Sequence, residues 1–163
     1  MRSPEVRSDA AYRATIKSPV ELLVGAMKAL DVSSLPTDFV SLLRQMQQEL
    51  FNPPGVEGWD GGTAWLSTTT FLVRANYLNR LITGNDPNKQ PFISPLNWLT
   101  QNKLTTNDQI VEYFVARLLE GDLTAAGRQV LLDWMKPTTS KTQLKRVRGL
   151  IHLLMTSPTY ELN

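Results

Sequence analysis

Leu22, Leu23, Ala26, Met27 and Leu30 recur at spacings of three and four, the period that lines one face of a helix. The residues just before them set the start. In Ser18-Pro19-Val20-Glu21 a hydroxyl stands at the N-cap, a proline at the first helical position and a glutamate where it completes a capping box. A second helix is expected from Ser34 to Pro36 onward, carrying Phe39, Leu42, Leu43, Met46 and Leu50 on one face and ending at a glycine-rich segment. Beyond that segment Ser67 is placed to cap a third helix with Phe71, Leu72, Ala75, Leu78 and Ile82, and Gly84 supplies its stop. Asn85 to Ser94 holds two prolines and no periodicity, which reads as a surface loop before a short turn of helix from Pro95 to Gln101.

Thr106-Asn107-Asp108-Gln109 is a further capping box, followed by Ile110, Val111, Phe114, Val115, Leu118 and Leu119, with Gly121 as the stop. Thr124 opens a helix through Trp134 that carries Val130 and Leu131, with Pro137 just beyond. Ser140 and Gln143 cap the last helix, whose apolar line is Leu144, Val147, Ile151 and Leu154 and which Ser157-Pro158 interrupts. No segment alternates β-branched and polar residues for long enough to make a strand. The pattern therefore predicts an all-α fold: a compact bundle of six or seven short helices with one long, ordered Gly/Trp-rich loop. Residues 1 to 15 are polar and aperiodic and read as a lead-in arm; 16 to 163 form a single helical domain.

At 163 residues the chain is long enough to bury a core without crosslinks or metals. It has no cysteine, which removes disulfides, thiol chemistry and cysteine-ligated metals, and one histidine, His152, which removes multi-imidazole metal centres. No metal site and no cofactor are expected. No run approaches the roughly 18 to 20 apolar residues that cross a bilayer, so no membrane span is expected. The net charge of +2 is too small to indicate a nucleic-acid partner by itself.

Leu50 to Leu66 gathers four of the nine glycines and two of the four tryptophans. Glycine admits positive φ, Pro53 and Pro54 stiffen the entry, and Trp59 beside Asp60 offers a flat apolar face next to a carboxylate, which suits a sugar ring or a peptide. The plain structural use of the same residues is a turn with indoles plugging the core beneath it. Glu57 and Asp60, three residues apart, are the acid and base candidates for hydrolysis of a polysaccharide or other cell-envelope polymer, and equally the kind of solvated pair found in polar loops. Ser67 to Thr70 form a hydroxyl-rich helix start that serves as a cap or an anion site. Arg74, on the third helix, is positioned to fold back and pair with Glu57 or Asp60. On the last helix Lys141, Lys145, Arg148 and His152 follow at spacings of four, three and four, a basic stripe that is either a solvated face or a seat for an anion.

Ile16-Lys17-Ser18-Pro19-Val20-Glu21, the segment Leu50 to Leu66 with its Pro-Pro-x-Val-x-Gly-Trp-x-Gly-Gly pattern, and Leu153 to Tyr160 together resemble the bacterial family called domain of unknown function 1800. The resemblance covers most of the chain and corresponds to the C-terminal part of longer family members. It implies an exported, periplasmic or extracellular protein and a chain whose partner is the preceding part of itself or another protein. It implies no reaction. The residues and the resemblance together lead to a non-catalytic helical interaction or scaffold module with Trp59, Asp60, Trp65 and Arg74 as its contact region. The hydrolase using Glu57 and Asp60, and anion or nucleic-acid binding through Lys141, Lys145 and Arg148, are the alternatives.

Overall fold

Local capping chemistry sets the start of several helices. A computed structural model describes residues 13–32, 34–84, 95–136 and 140–162. In order they form α1 (Pro19–Ala29), α2 (Phe39–Gln45), α3 (Thr68–Thr83), α4 (Pro95–Gln101), α5 (Asn107–Leu119), α6 (Ala125–Met135) and α7 (Ser140–Met155), with a 3₁₀ turn at Gly62–Trp65 and no strand among the described residues. The fold is all-α. At α1 the Ser18 amide donates to Glu21 Oε2 at 2.7 Å while the Glu21 amide donates to Ser18 Oγ at 3.4 Å, so two orphan N–H groups of the first turn are satisfied reciprocally. Thr106 and Gln109 repeat the device on α5, and Thr124 caps α6 by accepting from the Gly127 amide at 3.1 Å. The expected lead-in arm up to residue 12, the loop at 85–94 and Pro137 lie outside the described residues.

The described residues fall into two compact units, one drawn from residues up to Tyr77 together with Glu161 and Leu162, the other from Leu78 to Tyr160. In the first, Leu22, Leu23, Ala26, Met27 and Leu30 of α1 and Leu42, Leu43 and Met46 around α2 are buried, as their spacing requires. α2 starts later than the sequence suggests and stops at Gln45, because Gln47 adopts a left-handed φ of 68° and the Gln48 amide turns back to the Leu43 carbonyl. Leu50 is thereby left outside the helix. In the second unit α5 packs on α6 and α7, and α4 and α6 on α7. Ile110, Phe114, Val147, Leu150 and Ile151 are fully buried there, and the Phe114 ring meets Trp98 and Tyr113 at centroid distances of 5.6 and 5.2 Å.

Two helices bury only part of the face that hydrophobicity suggests: Leu78 and Ile82 on α3 and Leu131 on α6 are buried as expected, and the rest departs from it. On α3 the buried positions are Thr70, Arg74, Tyr77, Leu78, Leu81 and Ile82, while Phe71 and Leu72 are exposed. The first two turns bury polar groups because those groups make the cap and an ion pair. On α6 the inward residues are Leu131 and Met135; Val130 and Trp134 are exposed. Trp134 instead lies against Gly149 of α7, where a Cβ would come within 3.2 Å of the indole, and receives the Arg146 guanidinium over its ring at 5.3 Å.

Candidate functional site

The Gly/Trp loop is shaped by backbone first. Gly55 and Gly58 pair as an isolated bridge, the Gly58 amide donating to the Gly55 carbonyl at 3.1 Å, so Val56 and Glu57 form the tip of a tight turn. Gly61 has φ 73° and ψ −171°, a region open essentially to glycine alone. The chain then enters the 3₁₀ turn, and the Thr70 hydroxyl donates to the Trp65 carbonyl at 3.0 Å. Ser67 and Thr70 complete a reciprocal cap, Ser67 amide to Thr70 Oγ1 at 2.8 Å and Thr70 amide to Ser67 Oγ at 3.2 Å. The Ser67 and Thr70 hydroxyls are therefore engaged in capping, and Thr70 is buried, while Thr68 and Thr69 are exposed.

The two tryptophans part company. Trp65 is buried, whereas Trp59 is half-buried and lines an open groove of about 320 Å³ together with Arg44, Gln47, Glu49, Asn52 and Pro54. Arg44 Nε and Nη2 both donate to Glu49 Oε1, at 2.8 and 2.5 Å, and Asn52 Nδ2 donates to Glu49 Oε2 at 3.2 Å. Those hydrogen bonds, the one from Asn52 foremost, hold the Glu49 carboxyl below its ordinary value, so it stays an ionised acceptor. Between two of the lining residues in sequence, Gln48 is buried and its Oε1 accepts from the Val20 amide at 2.8 Å, tying this segment to the start of α1. Periodicity gives no sign of that tie. Glu57 and Asp60 are exposed on the loop.

Arg74 does not pair with either loop acid. Fully buried, it donates through Nη1 to Glu161 Oε2 at 2.7 Å and through Nη2 to the Lys17 carbonyl at 2.9 Å. The Lys17 amide in turn donates to the Glu161 carbonyl at 2.8 Å, and Ile16 bridges to Leu162. One guanidinium from α3 thus clasps two segments 144 residues apart in sequence (161 − 17). A buried Arg needs both a charge partner and further acceptors, and a solvated loop carboxylate offers less than one already buried beside it.

Burial pushes the Glu161 carboxyl above its ordinary value, against the opposing pull of the Arg74 charge, its hydrogen bond and Lys17. A folded-state value above the unfolded one means the folded chain holds more protons in the interval between them. The Glu161 contribution to stability is then fully present below the unfolded value and falls as pH rises through the folded one. Chemical denaturation of Glu161→Gln at a series of pH values from 4 to 8 is expected to lose that fall; an unchanged profile would refute the assignment.

On α7 the basic stripe is only partly open. Lys145 is exposed, Arg148 and His152 are half-buried, and the Arg148 Nε is shielded from solvent with no acceptor. The Lys141 side chain lies outside the described residues. Among the described residues no three His, Cys, Asp or Glu side chains gather as metal ligands, and no helix is long and apolar enough to cross a membrane.

A family model described as "Protein of unknown function (DUF1800)" matches residues 1–162, nearly the whole chain. No curated protein and no solved structure matches it.

Proposed function

The chain belongs to the DUF1800 family of proteins of unknown function, and from that premise we propose that it is a non-catalytic helical interaction or scaffold module of an exported bacterial protein. Its contact region is the loop from Phe51 to Asp60. The observation that carries this reading is Phe51, a phenylalanine held at φ 64° with 98% of its surface in water. A left-handed backbone costs a residue with a Cβ roughly 1–2 kcal/mol, and an aromatic side chain gains nothing within the chain from full exposure. Val56, at the tip of the Gly55–Gly58 turn, is equally open. Burying such side chains on a partner returns about 1.5–3 kcal/mol each, and aromatic anchors of this kind dominate interface energetics.

Strain kept at a contact residue predicts a trade between stability and binding. Phe51→Gly is expected to leave the chain as stable as before or more stable by up to about 1 kcal/mol, read from the denaturation midpoint. Photo-crosslinking from positions 51 and 56 of the full-length protein in its own cells is expected to give one discrete adduct, with none from the exposed position 145. Indiscriminate labelling from all three, together with a clear loss of stability in Phe51→Gly, would remove the loop as a contact region.

A further inference from the structure

We propose that the groove lined by Trp59 binds a neutral saccharide ring; the proposal deepens the reading of this loop as a contact region and rests on it. The groove holds one guanidinium and one carboxylate, and these are spent on each other, with Arg44 giving two donors to a single oxygen of Glu49. Neither an anion nor a cation finds an uncompensated opposite charge there.

Four of the six lining residues, Arg44, Gln47, Glu49 and Asn52, end in planar donor or acceptor sets. The internal bonds leave the Gln47 amide, the Asn52 carbonyl oxygen and the third Arg44 nitrogen without a protein partner among the described residues. Neighbouring hydroxyls on a pyranose, each both donor and acceptor, meet planar groups of this kind two at a time. Trp59 supplies the apolar surface that the C–H face of a sugar needs, and about 320 Å³ lies at the lower end of the range for small-ligand sites. A proline-rich peptide would ask instead for a groove walled by several aromatics, and this one has a single indole.

The backbone that carries the groove residues is set by bonds within the chain. Gln47 occupies the left-handed position that ends α2, where glycine or asparagine is the usual residue. The chain bears the strain of a long side chain at that position, and that side chain is part of the groove lining. The adjacent Gln48 is locked to α1 through Val20. The ordering cost of binding then falls on the exposed side chains of Arg44, Gln47 and Asn52 and not on the backbone that carries them.

The experiment is a titration of the intact ¹⁵N-labelled chain with soluble β-glucan, α-glucan, galactan and chitin oligosaccharides, following the Trp59 indole N–H and the Gln47 and Asn52 side-chain amides. At least one sugar class is expected to shift these signals saturably, with the Trp65, Trp98 and Trp134 indoles unmoved and the affinity unchanged between low and high salt. Trp59→Ala is expected to weaken binding about tenfold or more. Gln47→Gly, which suits the left-handed backbone and removes the amide together with its two methylenes, is expected to weaken it several-fold with the spectrum otherwise intact. If no oligosaccharide moves the three signals, or if both variants bind as tightly as the parent, the saccharide site is wrong. Should a proline-rich peptide shift them where every sugar fails, the saccharide is overturned while the contact region stands. Failure of the sugars combined with failed crosslinking from positions 51 and 56 would overturn both.

Discussion

Arg74→Ala is expected to destabilise the chain by about 3–5 kcal/mol at neutral pH, the usual cost of leaving one partner of a buried ion pair without the other. Glu161 would remain buried with its charge uncompensated, and the Lys17 carbonyl would lose its donor. The cost should shrink as the pH falls, because a protonated Glu161 no longer needs a counter-charge. Replacing both partners, Arg74→Met with Glu161→Leu, is expected to recover most of the loss, since well-packed apolar groups often match a buried pair in stability. Because the chain forms two compact units, a single global midpoint is a blunt measure. Hydrogen exchange at the Lys17 amide, which donates to the Glu161 carbonyl, reads the clasp directly. A loss under about 1 kcal/mol with the Lys17 amide still protected would show that the clasp contributes little.

Trp65→Ala should cost about 3–5 kcal/mol, in the range for emptying a buried aromatic site, while Trp59→Ala should cost about 1 kcal/mol, typical of a substitution with partial exposure. Trp65 is buried, its carbonyl is hooked by the Thr70 hydroxyl, and the Gly61 backbone that delivers it has no alternative residue. Trp59 is half-buried at a groove whose polar network does not depend on it. Parallel denaturation of the two variants separates the roles: equal costs would mean that both indoles are architecture and would remove the basis for a binding groove. A small cost at Trp59 joined to lost ligand contact is the pattern the groove requires.

Much of the fold was legible because helix ends are local. Ser18 with Glu21 and Thr106 with Gln109 close their capping boxes within three residues, and a pattern confined to four positions survives any tertiary arrangement. Apolar spacing likewise locates the inward faces of α1 and α5, whose buried residues are all apolar side chains or Pro19. It misplaces α3 and α6, where Phe71 and Trp134 are exposed and Thr70 and Arg74 are buried. Hydrophobicity ranks side chains by their cost in water, and it cannot register a polar group whose cost is cancelled by a partner far along the chain.

The same limit governs the candidate site. The Leu50–Leu66 pattern carries the family resemblance, and its glycines announce a fixed backbone, since positive φ is a property of single residues. Which indole the fold buries, and that Arg74 turns away from Glu57 and Asp60 toward Glu161, are decided by contacts spanning up to 87 residues. Trp59 and Trp65 are chemically identical; what separates them is the surroundings each is given. The sequence by itself therefore determined where the capped helices start and that the loop needs backbone shapes open to glycine, both consequences of short-range sterics and capping. The tertiary structure alone decided which of its residues are core and which meet the solvent, because burial is a property of neighbours brought together by folding.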